Sequence, residues 1–326
     1  MKTEILKLLR ESGDYISGQE LCSRFGVSRT AVWKVIKQLQ EEGYVIEAVQ
    51  NKGYRLCTNP DVMSLSELKS RIHNEWAGDT IYFYEETGST NIDAKRLADE
   101  GASHGTVVVA DKQNAGRGRR GRSWQSPLGK DIYFTILLKP DFAPDRASGL
   151  TLVMALSVVQ AIEDFCNIRA EIKWPNDIVV NGKKICGILT EMSLELDYIS
   201  HVVIGTGINV NLDEIPKELQ ESASSLLLEC GHSVARAELL QKILVRFEYN
   251  YSIFLNSLDM SGLLKQYDKY LVNKGKQVRV LDPKGEFEGL ALGINAAGEL
   301  LVKLKEGEVV SVYAGEISVR GLYGYV

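Results

Sequence analysis

The amino-acid sequence predicts an α+β protein built from an N-terminal winged helix-turn-helix, a central sheet with packed helices and a C-terminal small β-barrel. Three observations support this. The first 60 residues show short amphipathic helical patterns followed by a hairpin pattern, strand and helix patterns alternate from about residue 62 to 270, and the tail carries five short strand patterns separated by turn residues. The predicted domains are residues 1–60, 61–272 and 273–326.

The N-terminal pattern begins with a helix over residues 2–10 that ends near Gly13. Ser17 and Glu20 form a capping box that opens a second helix, and Ser28 caps a third. In the third helix, four apolar residues fall at positions i, i+3, i+4 and i+7 and predict one buried stripe: Val32, Val35, Ile36 and Leu39. Two helices joined by a tight turn at Gly26 are typical of a helix-turn-helix.

Polar and basic residues lie near the start and on the outer face of this third helix, where a recognition helix would meet DNA. A hairpin follows over residues 44–56, and its tip carries a lysine, as in a basic wing. Residues 1–60 contain nine Lys and Arg against seven Asp and Glu, whereas the whole chain has a net charge of −5. The residues predicted to bind DNA are Ser28, Arg29, Thr30, Lys34, Lys37 and Lys52. The alternative is a helical packing module that binds no DNA.

The central segment follows a linker at residues 58–61 and a second capping box, formed by Ser64 and Glu67. Strands are predicted at 80–85, 106–111, 131–139, 170–174, 185–193 and 200–210, with helices at 92–100, 147–165 and within 235–270. This interspersed order indicates a mixed or antiparallel sheet with helices packed on it. In the tail, strands are predicted at 278–281, 287–294, 300–304, 309–312 and 317–320, with a first turn at 282–285.

Composition sets limits on the class of protein. With 44% hydrophobic and 25% charged residues, the chain is typical of a soluble globular protein, and we expect it in the cytoplasm with no membrane association. The negative net charge argues against a surface covered in nucleic acid but allows a local basic face. The five cysteines and four histidines are scattered, so neither a disulfide framework nor a metal site is expected.

The loop at residues 113–122, Q-N-A-G-R-G-R-R-G-R, is the first segment that indicates chemistry. Its G-x-G-x-x-G spacing would fit a dinucleotide fold only if a helix followed, and here the segment leads into a strand instead. Four arginines and no acidic residue then predict an anion-binding loop, because guanidinium groups pair with phosphate or carboxylate. An RNA-binding Arg-Gly segment is the alternative, but strands on both sides and the negative net charge disfavour it.

The second such segment is K-W-P-N-D at residues 173–177, followed by a hairpin turn at Asn181-Gly182. This turn places Lys184 between a polar bend and an apolar strand, where a cation directed into the sheet needs a partner such as an acyl phosphate. Lys183 would face the opposite side, and the alternative is that both lysines merely solubilise the turn. Glycines within the strand at 205–211 indicate that some group approaches its backbone closely.

Together these segments resemble one family, the biotin–protein ligases that also act as biotin-operon repressors. The resemblance covers the whole chain: the winged helix-turn-helix, S-T-N at 89–91, G-R-G-R-R-G-R at 116–122, K-W-P-N-D at 173–177 and G-I-N-V-N at 207–211. It implies a mixed sheet related to class II synthetases. It also implies two half-reactions: biotin and Mg-ATP form biotinyl-5′-adenylate, which then passes biotin to a lysine of a biotin carboxyl carrier protein.

The resemblance also implies roles for residues. Lys184, Arg119 and Asp177 would be catalytic, with Lys184 at the carboxylate–phosphate junction and Asp177 orienting or deprotonating the acceptor amine. The residues implied to bind biotin or its adenylate are Ser89, Thr90, Asn91, Gln113, Gly116, Arg117, Gly118, Arg119, Lys184, Gly187, Gly207 and Asn209. Some relatives stack adenine on an aromatic residue after the G-I-N-V-N strand. Residues 211–231 contain none, so residues 226–228 are the candidates here.

The partners that the resemblance implies are the carrier protein, operator DNA and a second copy of the chain, with dimerisation driven by adenylate binding. Two other functions fit the same sequence features. One is a ligase of this fold that acts on lipoate, and the other is a regulator that senses a ligand without catalysis.

Overall fold

The computed structural model describes residues 1–58, 60–196, 198–282, 285–314, 317–321 and 325–326. Asn59 of the predicted linker and Pro283 and Lys284 of the predicted tail turn lie outside the described residues. The chain forms two compact units. The first contains residues 1–73 and 235–241, and the second contains residues 74–234 and 242–326.

The first unit has the predicted order of helices and hairpin. Its elements are α1 (Lys2–Ser12), α2 (Gly18–Phe25), α3 (Arg29–Glu41), β1 (Val45–Val49), β2 (Gly53–Thr58) and α4 (Leu65–Arg71). Each of the three predicted serine caps is confirmed, since Ser17, Ser28 and Ser64 accept a backbone N–H from the residue three positions on. The four residues of the predicted stripe on α3 are all buried.

Glu67 departs from the simple capping role, because its side chain is buried rather than turned back to the helix start. It accepts hydrogen bonds from Arg10 and from the hydroxyl of Tyr44, and it pairs with Arg71. A buried carboxylate needs such partners to offset its lost hydration. This network ties α4 to the winged helix-turn-helix.

The second unit contains a seven-stranded mixed sheet in the order β3-β4-β5-β9-β8-β7-β6. Its strands are β3 (Ile81–Tyr84), β4 (Val107–Ala110), β5 (Ile132–Leu138), β6 (Glu171–Lys173), β7 (Asp177–Val180), β8 (Lys183–Glu195) and β9 (Tyr198–Ile208). Only β3 and β4 pair in parallel among the described ladders of this sheet; the others are antiparallel. The sheet is therefore mixed, as the family resemblance implied.

The helices of this unit are α5 (Thr90–Asp99), α6 (Gly149–Cys166), α7 (Leu226–Cys230), α8 (Arg236–Ser257), which begins in the first unit, and α9 (Leu264–Tyr270). The segment Pro144–Cys166, which includes α6, is long and apolar enough for a membrane span by composition. However, 72% of its most apolar stretch is buried inside the protein. Its apolar character is thus that of a core helix packed against the sheet.

The tail forms the five predicted strands as an antiparallel sheet in the order β13-β12-β11-β10-β14. Their bounds are β10 (Gln277–Leu281), β11 (Phe287–Ile294), β12 (Leu300–Lys303), β13 (Val309–Val312) and β14 (Ser318–Gly321). Alternate residues of β10 and β11 are buried, as period-two patterning requires. The sheet brings Ile317 and Ser318 to the wall of a large cavity in the same unit.

Candidate active site

A cavity of about 580 Å³ brings the chemistry-bearing segments together, although they are far apart in the sequence. This volume is within the range of ligand pockets. The predicted site residues that line it are Ser89, Thr90, Asn91, Gln113, Arg117, Gly118, Arg119, Asp177, Lys184, Gly187, Gly207 and Asn209. Gly116 is not among the lining residues. A Cβ built on Gly116 would lie 2.5 Å from the carbonyl oxygen of Trp124, so this glycine permits the loop to close on itself.

The S-T-N segment and Gln113 form the polar end of the cavity. The amide oxygen of Gln113 accepts hydrogen bonds from the backbone N–H and the hydroxyl of Thr90, at 2.9 and 3.2 Å. The hydroxyl of Thr135, from β5, donates to the amide oxygen of Asn91 at 2.7 Å. Ser89 occupies the N-cap position of α5 but makes no capping hydrogen bond with its side chain. These polar groups are fixed by the protein before any ligand is considered.

Glycines of β8 and β9 accommodate two side chains at close range. This explains the glycines that the sequence shows within residues 205–211. A Cβ on Gly205 would lie 2.1 Å from the amide oxygen of Asn91. Cβ atoms on Gly187 and Gly207 would lie 2.9 and 2.7 Å from the indole of Trp124. The groups that approach the backbone are therefore Asn91 and Trp124.

The arginine loop folds as a compact turn rather than as a helix, consistent with the exclusion of a dinucleotide fold. The N–H of Gly118 donates to the carbonyl oxygen of Arg122 at 2.7 Å, and a short 3₁₀ turn spans Arg119–Gly121. Arg120 adopts a left-handed conformation with φ 59°. Arg117 and Arg120 are exposed, so their guanidinium groups lie at the solvent side of the cavity wall.

Arg119 has a different environment, because its guanidinium is partly buried and hydrogen-bonded to the protein. It donates to the amide oxygen of Asn176 at 2.7 Å and to the carbonyl oxygens of Ala314 and Ile317 at 2.7 and 3.0 Å. Burial lowers the pKa of Arg119, and the carboxylate of Asp177 opposes that shift. Arg119 thus connects the arginine loop, the K-W-P-N-D segment and the C-terminal sheet.

Lys184 lines the cavity, and Asp177 is its partner. The ammonium nitrogen of Lys184 lies 2.6 Å from Oδ1 of Asp177 and 5.3 Å from the ring centroid of Trp124. Burial acts to raise the pKa of Asp177, but the Lys184 ammonium and the hydroxyl of Tyr325 hold it below its ordinary value. Two of the three residues that the resemblance marks as catalytic, Lys184 and Asp177, therefore form an ion pair at the cavity wall.

The K-W-P-N-D segment is held in place by residues from the end of the second unit. Trp174 is buried, its indole N–H donates to the carbonyl oxygen of Gly298 at 3.0 Å, and its backbone N–H donates to Asn273 at 2.9 Å. The Trp174–Pro175 peptide bond is cis. Lys173 is only 5% exposed, and burial lowers its pKa to about 8.

Trp124, Tyr325 and the loop at residues 212–223 line the cavity but were not singled out from the sequence, nor was Thr135, which holds the lining residue Asn91. Trp124 lies two residues after the arginine loop. This closeness to the loop was the only feature of the sequence that indicated a place for Trp124 at the site. Residues 226–228, the candidates for packing against adenine, are not among the residues that line the described cavity, whose wall contains Leu212, Ile215 and Leu219. Leu226 is buried in α7, whose five residues are stabilised by the Ser225 cap. The side chain of Asn209 positions this loop by donating to the carbonyl oxygen of Ser224 at 2.9 Å.

The predicted DNA-binding residues of the first unit are all accessible to a partner. Ser28, Arg29, Thr30, Lys34, Lys37 and Lys52 are all exposed. Trp33, which sequence reasoning had not selected, is 51% exposed beside Lys37, whose ammonium nitrogen lies 5.8 Å from the ring centroid. A large exposed aromatic residue among basic side chains on a third helix is suited to contact with nucleic acid.

Comparison with known families agrees with both units. A helix-turn-helix domain matches residues 2–55, the biotin/lipoate A/B protein ligase family matches residues 82–209, and the biotin protein ligase C-terminal domain matches residues 275–320. A biotin protein ligase from Aquifex aeolicus, solved in complex with biotin and ATP, has a TM-score of 0.66 and 32% identity to the chain. This match covers 74% of the chain and 99% of the Aquifex protein.

Two curated relatives match almost the full length. The bifunctional ligase/repressor BirA of Bacillus subtilis is 40% identical, over 97% of the chain and 98% of the relative. The protein of the same name from Escherichia coli is 28% identical, over 96% of the chain and 95% of the relative. The resemblance seen in the sequence is thereby confirmed, and the chain belongs to the BirA family of bifunctional ligase/repressors.

Proposed function

We propose that the protein activates biotin with ATP as biotinyl-5′-adenylate, transfers biotin to a lysine of a biotin carboxyl carrier protein, and represses transcription when it holds the adenylate. The observation that carries this proposal is the single cavity that collects the S-T-N, arginine-loop, K-W-P-N-D and glycine-strand segments. The Aquifex relative, described as bound to biotin and ATP, supports the same ligands here.

Biotin would bind with its ureido head group at the polar end of the cavity. Thr90 and Gln113 are already joined by hydrogen bonds, and Thr135 holds Asn91, so ordering these side chains on binding costs little conformational entropy. The hydroxyl of Ser89, which makes no capping hydrogen bond to α5, would provide a further polar contact. The indole of Trp124, seated on Gly187 and Gly207, would cover the apolar part of biotin.

The carboxylate of biotin would then lie near Lys184, which can neutralise charge as the carboxylate attacks the α-phosphate and pyrophosphate departs. Two unit charges 4 Å apart interact by about 4 kcal/mol at an effective dielectric constant of about 20. A fixed cation at this junction is therefore a large term in the activation free energy. Arg117 and the backbone of Gly118 would hold phosphate oxygens, and Arg119 would hold the loop in its catalytic conformation. Mg²⁺ would enter bound to the ATP phosphates, its usual mode in such enzymes.

The adenine of the adenylate would pack against the apolar wall formed by Leu212, Ile215 and Leu219. In the transfer step, Asp177 would receive a proton from the acceptor lysine. Because its proposed partners are a carrier protein and operator DNA, we expect the protein to act in the cytoplasm without a membrane partner. The dimer formed on adenylate binding would carry two winged helices to a palindromic operator, contacting it through α3 and the Lys52 tip.

A transfer assay tests the enzymatic part of this proposal. Purified protein, Mg-ATP and a biotin carboxyl carrier domain are incubated with biotin, with lipoate or with both. We expect the carrier lysine to be biotinylated, and we expect added lipoate not to reduce the extent of biotinylation. Transfer of lipoate alone would indicate a lipoate ligase, and binding of biotin without release of pyrophosphate would indicate a sensor without catalysis.

A band-shift assay tests the repressor part. A DNA fragment with the biotin-operon promoter is titrated with protein, with and without biotin and Mg-ATP. Tighter binding in the presence of both substrates is expected. Equal binding to unrelated DNA in all conditions would contradict specific repression.

A further inference from the structure

Asp177 has both carboxylate oxygens engaged by different side chains. Oδ1 lies 2.6 Å from the ammonium nitrogen of Lys184, and Oδ2 accepts a hydrogen bond from the hydroxyl of Tyr325 at 2.5 Å. The side chain of Asp177 is only 15% exposed. In this arrangement each oxygen of the proposed base has a side chain of the protein at close range.

Tyr325 reaches this carboxylate from the far end of the described chain, beyond β14. Its ring also covers Lys173, whose ammonium nitrogen lies 3.6 Å from the ring centroid. Val326, the next residue, is packed closely against two glycines. A Cβ on Gly321 would lie 2.2 Å from the carbonyl oxygen of Val326, and a Cβ on Gly182 would lie 3.2 Å from the side chain of Val326. One tyrosine therefore satisfies a buried carboxylate with its hydroxyl and a buried ammonium group with its ring.

The two contacts of Asp177 differ in how they can change during the reaction. Lys184 belongs to the proposed adenylation machinery and is attracted to an acyl phosphate, which carries negative charge. Tyr325 is neutral, and burial together with the charge of Asp177 raises the pKa of its hydroxyl, so it remains a donor. Adenylate formation is thus suited to draw away Lys184 while leaving Tyr325 in place.

We infer that Tyr325 is a positioning residue for the transfer half-reaction, holding Oδ2 of Asp177 so that Oδ1, which Lys184 masks until the adenylate forms, faces the acceptor lysine. This inference rests on the proposed function. In the transfer step the acceptor nitrogen attacks the acyl carbon and forms the C–N bond. The bond from the acyl carbon to the phosphate oxygen breaks, AMP leaves with that electron pair, and the proton lost by nitrogen goes to Oδ1.

The electrostatics favour this order of events. Burial is the strongest influence on Asp177 and acts to raise its pKa, while Lys184 is the strongest influence that lowers it. Once Lys184 turns to the acyl phosphate, the pKa of Asp177 rises and the carboxylate becomes a better proton acceptor. Lys173 and Arg119 still face it; the ring of Tyr325 holds Lys173, and the amide oxygen of Asn176 holds Arg119. The site would thereby gain its base only after the activated substrate is present.

The test measures the two half-reactions separately in the full-length protein. Adenylation is followed as biotin-dependent release of pyrophosphate, and transfer is followed as a single turnover from the isolated enzyme–adenylate complex to a carrier domain. Tyr325→Phe removes the hydroxyl but keeps the ring over Lys173. Tyr313→Phe, at a tyrosine that is 57% exposed after β13, is the matched control. Thermal unfolding of each variant reports on folding.

For Tyr325→Phe we expect adenylation within about twofold of wild type and transfer slowed about tenfold, a part of the roughly 10²–10⁴-fold that a positioned base contributes. The acidic limb of the transfer pH profile should move to higher pH, because losing a hydrogen bond to the carboxylate raises the pKa of Asp177. Tyr313→Phe should match wild type in all three measurements.

Transfer at the wild-type rate with an unchanged pH profile would overturn the inference. Equal losses in adenylation and transfer would also overturn it, since they would indicate general support of the cavity. Failure of the wild-type protein to form or transfer the adenylate would instead refute the proposed function, so the two failures are distinguishable.

Discussion

Gly205→Ala is the substitution whose effect the geometry of the cavity defines most closely. The added Cβ would lie 2.1 Å from Oδ1 of Asn91 and 2.8 Å from its Cγ, far inside van der Waals contact. Gly205 does not have a positive φ, so backbone strain adds nothing to the effect. The substitution therefore acts only by forcing Asn91 out of its position.

The loss can be worked from the hydrogen bonds that hold Asn91. Its amide oxygen accepts from Thr135 at 2.7 Å, and its amide nitrogen donates to the carboxylate of Glu191 at 2.7 Å and to the carbonyl oxygen of Leu189 at 3.3 Å. A neutral hydrogen bond contributes about 1 kcal/mol and one to a charged group about 1.5–3 kcal/mol. Losing this set should cost about 3.5–5 kcal/mol of folding free energy. Displacing Asn91 also leaves a polar group of biotin unpaired, which costs about 1–3 kcal/mol, or roughly 5- to 150-fold in biotin affinity.

Isothermal titration with biotin measures this effect, and thermal unfolding shows how much of the loss appears as stability. Gly88→Ala is the matched control, because no atom lies within 4 Å of its added Cβ and its φ is not positive. We expect Gly88→Ala to bind biotin within about threefold of wild type, less than the roughly tenfold that 1.4 kcal/mol represents. Wild-type biotin affinity in Gly205→Ala would refute the assignment of Asn91 to the biotin head group.

Three further predictions follow from other contacts. Lys184→Met should reduce biotin-dependent pyrophosphate release by about 10²–10³-fold, the usual loss when a charge-stabilising group is removed, and wild-type release would exclude that role. Lys37→Ala should weaken binding to operator and to unrelated DNA alike, and it should lower the slope of log binding constant against log salt concentration by about one. Trp33→Ala should instead reduce the preference for operator over unrelated DNA. Unchanged band shifts in both variants would remove both residues from the interface. The pKa of Lys173 is about 8 against an ordinary 10.5, so between these values the unfolded chain binds more protons and stability rises with pH. Chemical denaturation at several pH values measures this rise in the free energy of unfolding, and Lys173→Met should lack the part that Lys173 contributes. The same pH dependence in wild type and variant would contradict the burial of this charge.

Local features of the fold were predictable from the sequence because their causes are local. The serine caps at Ser17, Ser28 and Ser64 need only a side-chain oxygen and a backbone N–H three residues on. The stripe on α3 follows from helical periodicity alone. The hairpin of β7 and β8 was predictable for a similar reason, since it depends on the Asn181-Gly182 turn.

Partners brought together by the fold were not predictable in this way. Tyr325 and Asp177 are separated by 148 positions, and Arg119 and Ile317 by 198. The neighbours of β9 are β5 and β8, so the contact between Trp124 and Gly207 depends on the strand order of the whole sheet. Helix α7, with five residues, is too short for periodicity to reveal and owes its start to the Ser225 cap. Glycine spacing showed that something approaches the strand but not which side chain does so.

Isolation of the acyl-adenylate tests the central claim most directly. The protein is incubated with biotin and ATP labelled at the α-phosphate, quenched with acid and chromatographed, and a second sample receives the carrier domain before quenching. We expect labelled biotinyl-5′-adenylate to accumulate to about one per protein and to convert to AMP as the carrier lysine becomes biotinylated. Labelled AMP that forms without biotin, or an adenylate that the carrier leaves unchanged, would contradict the account.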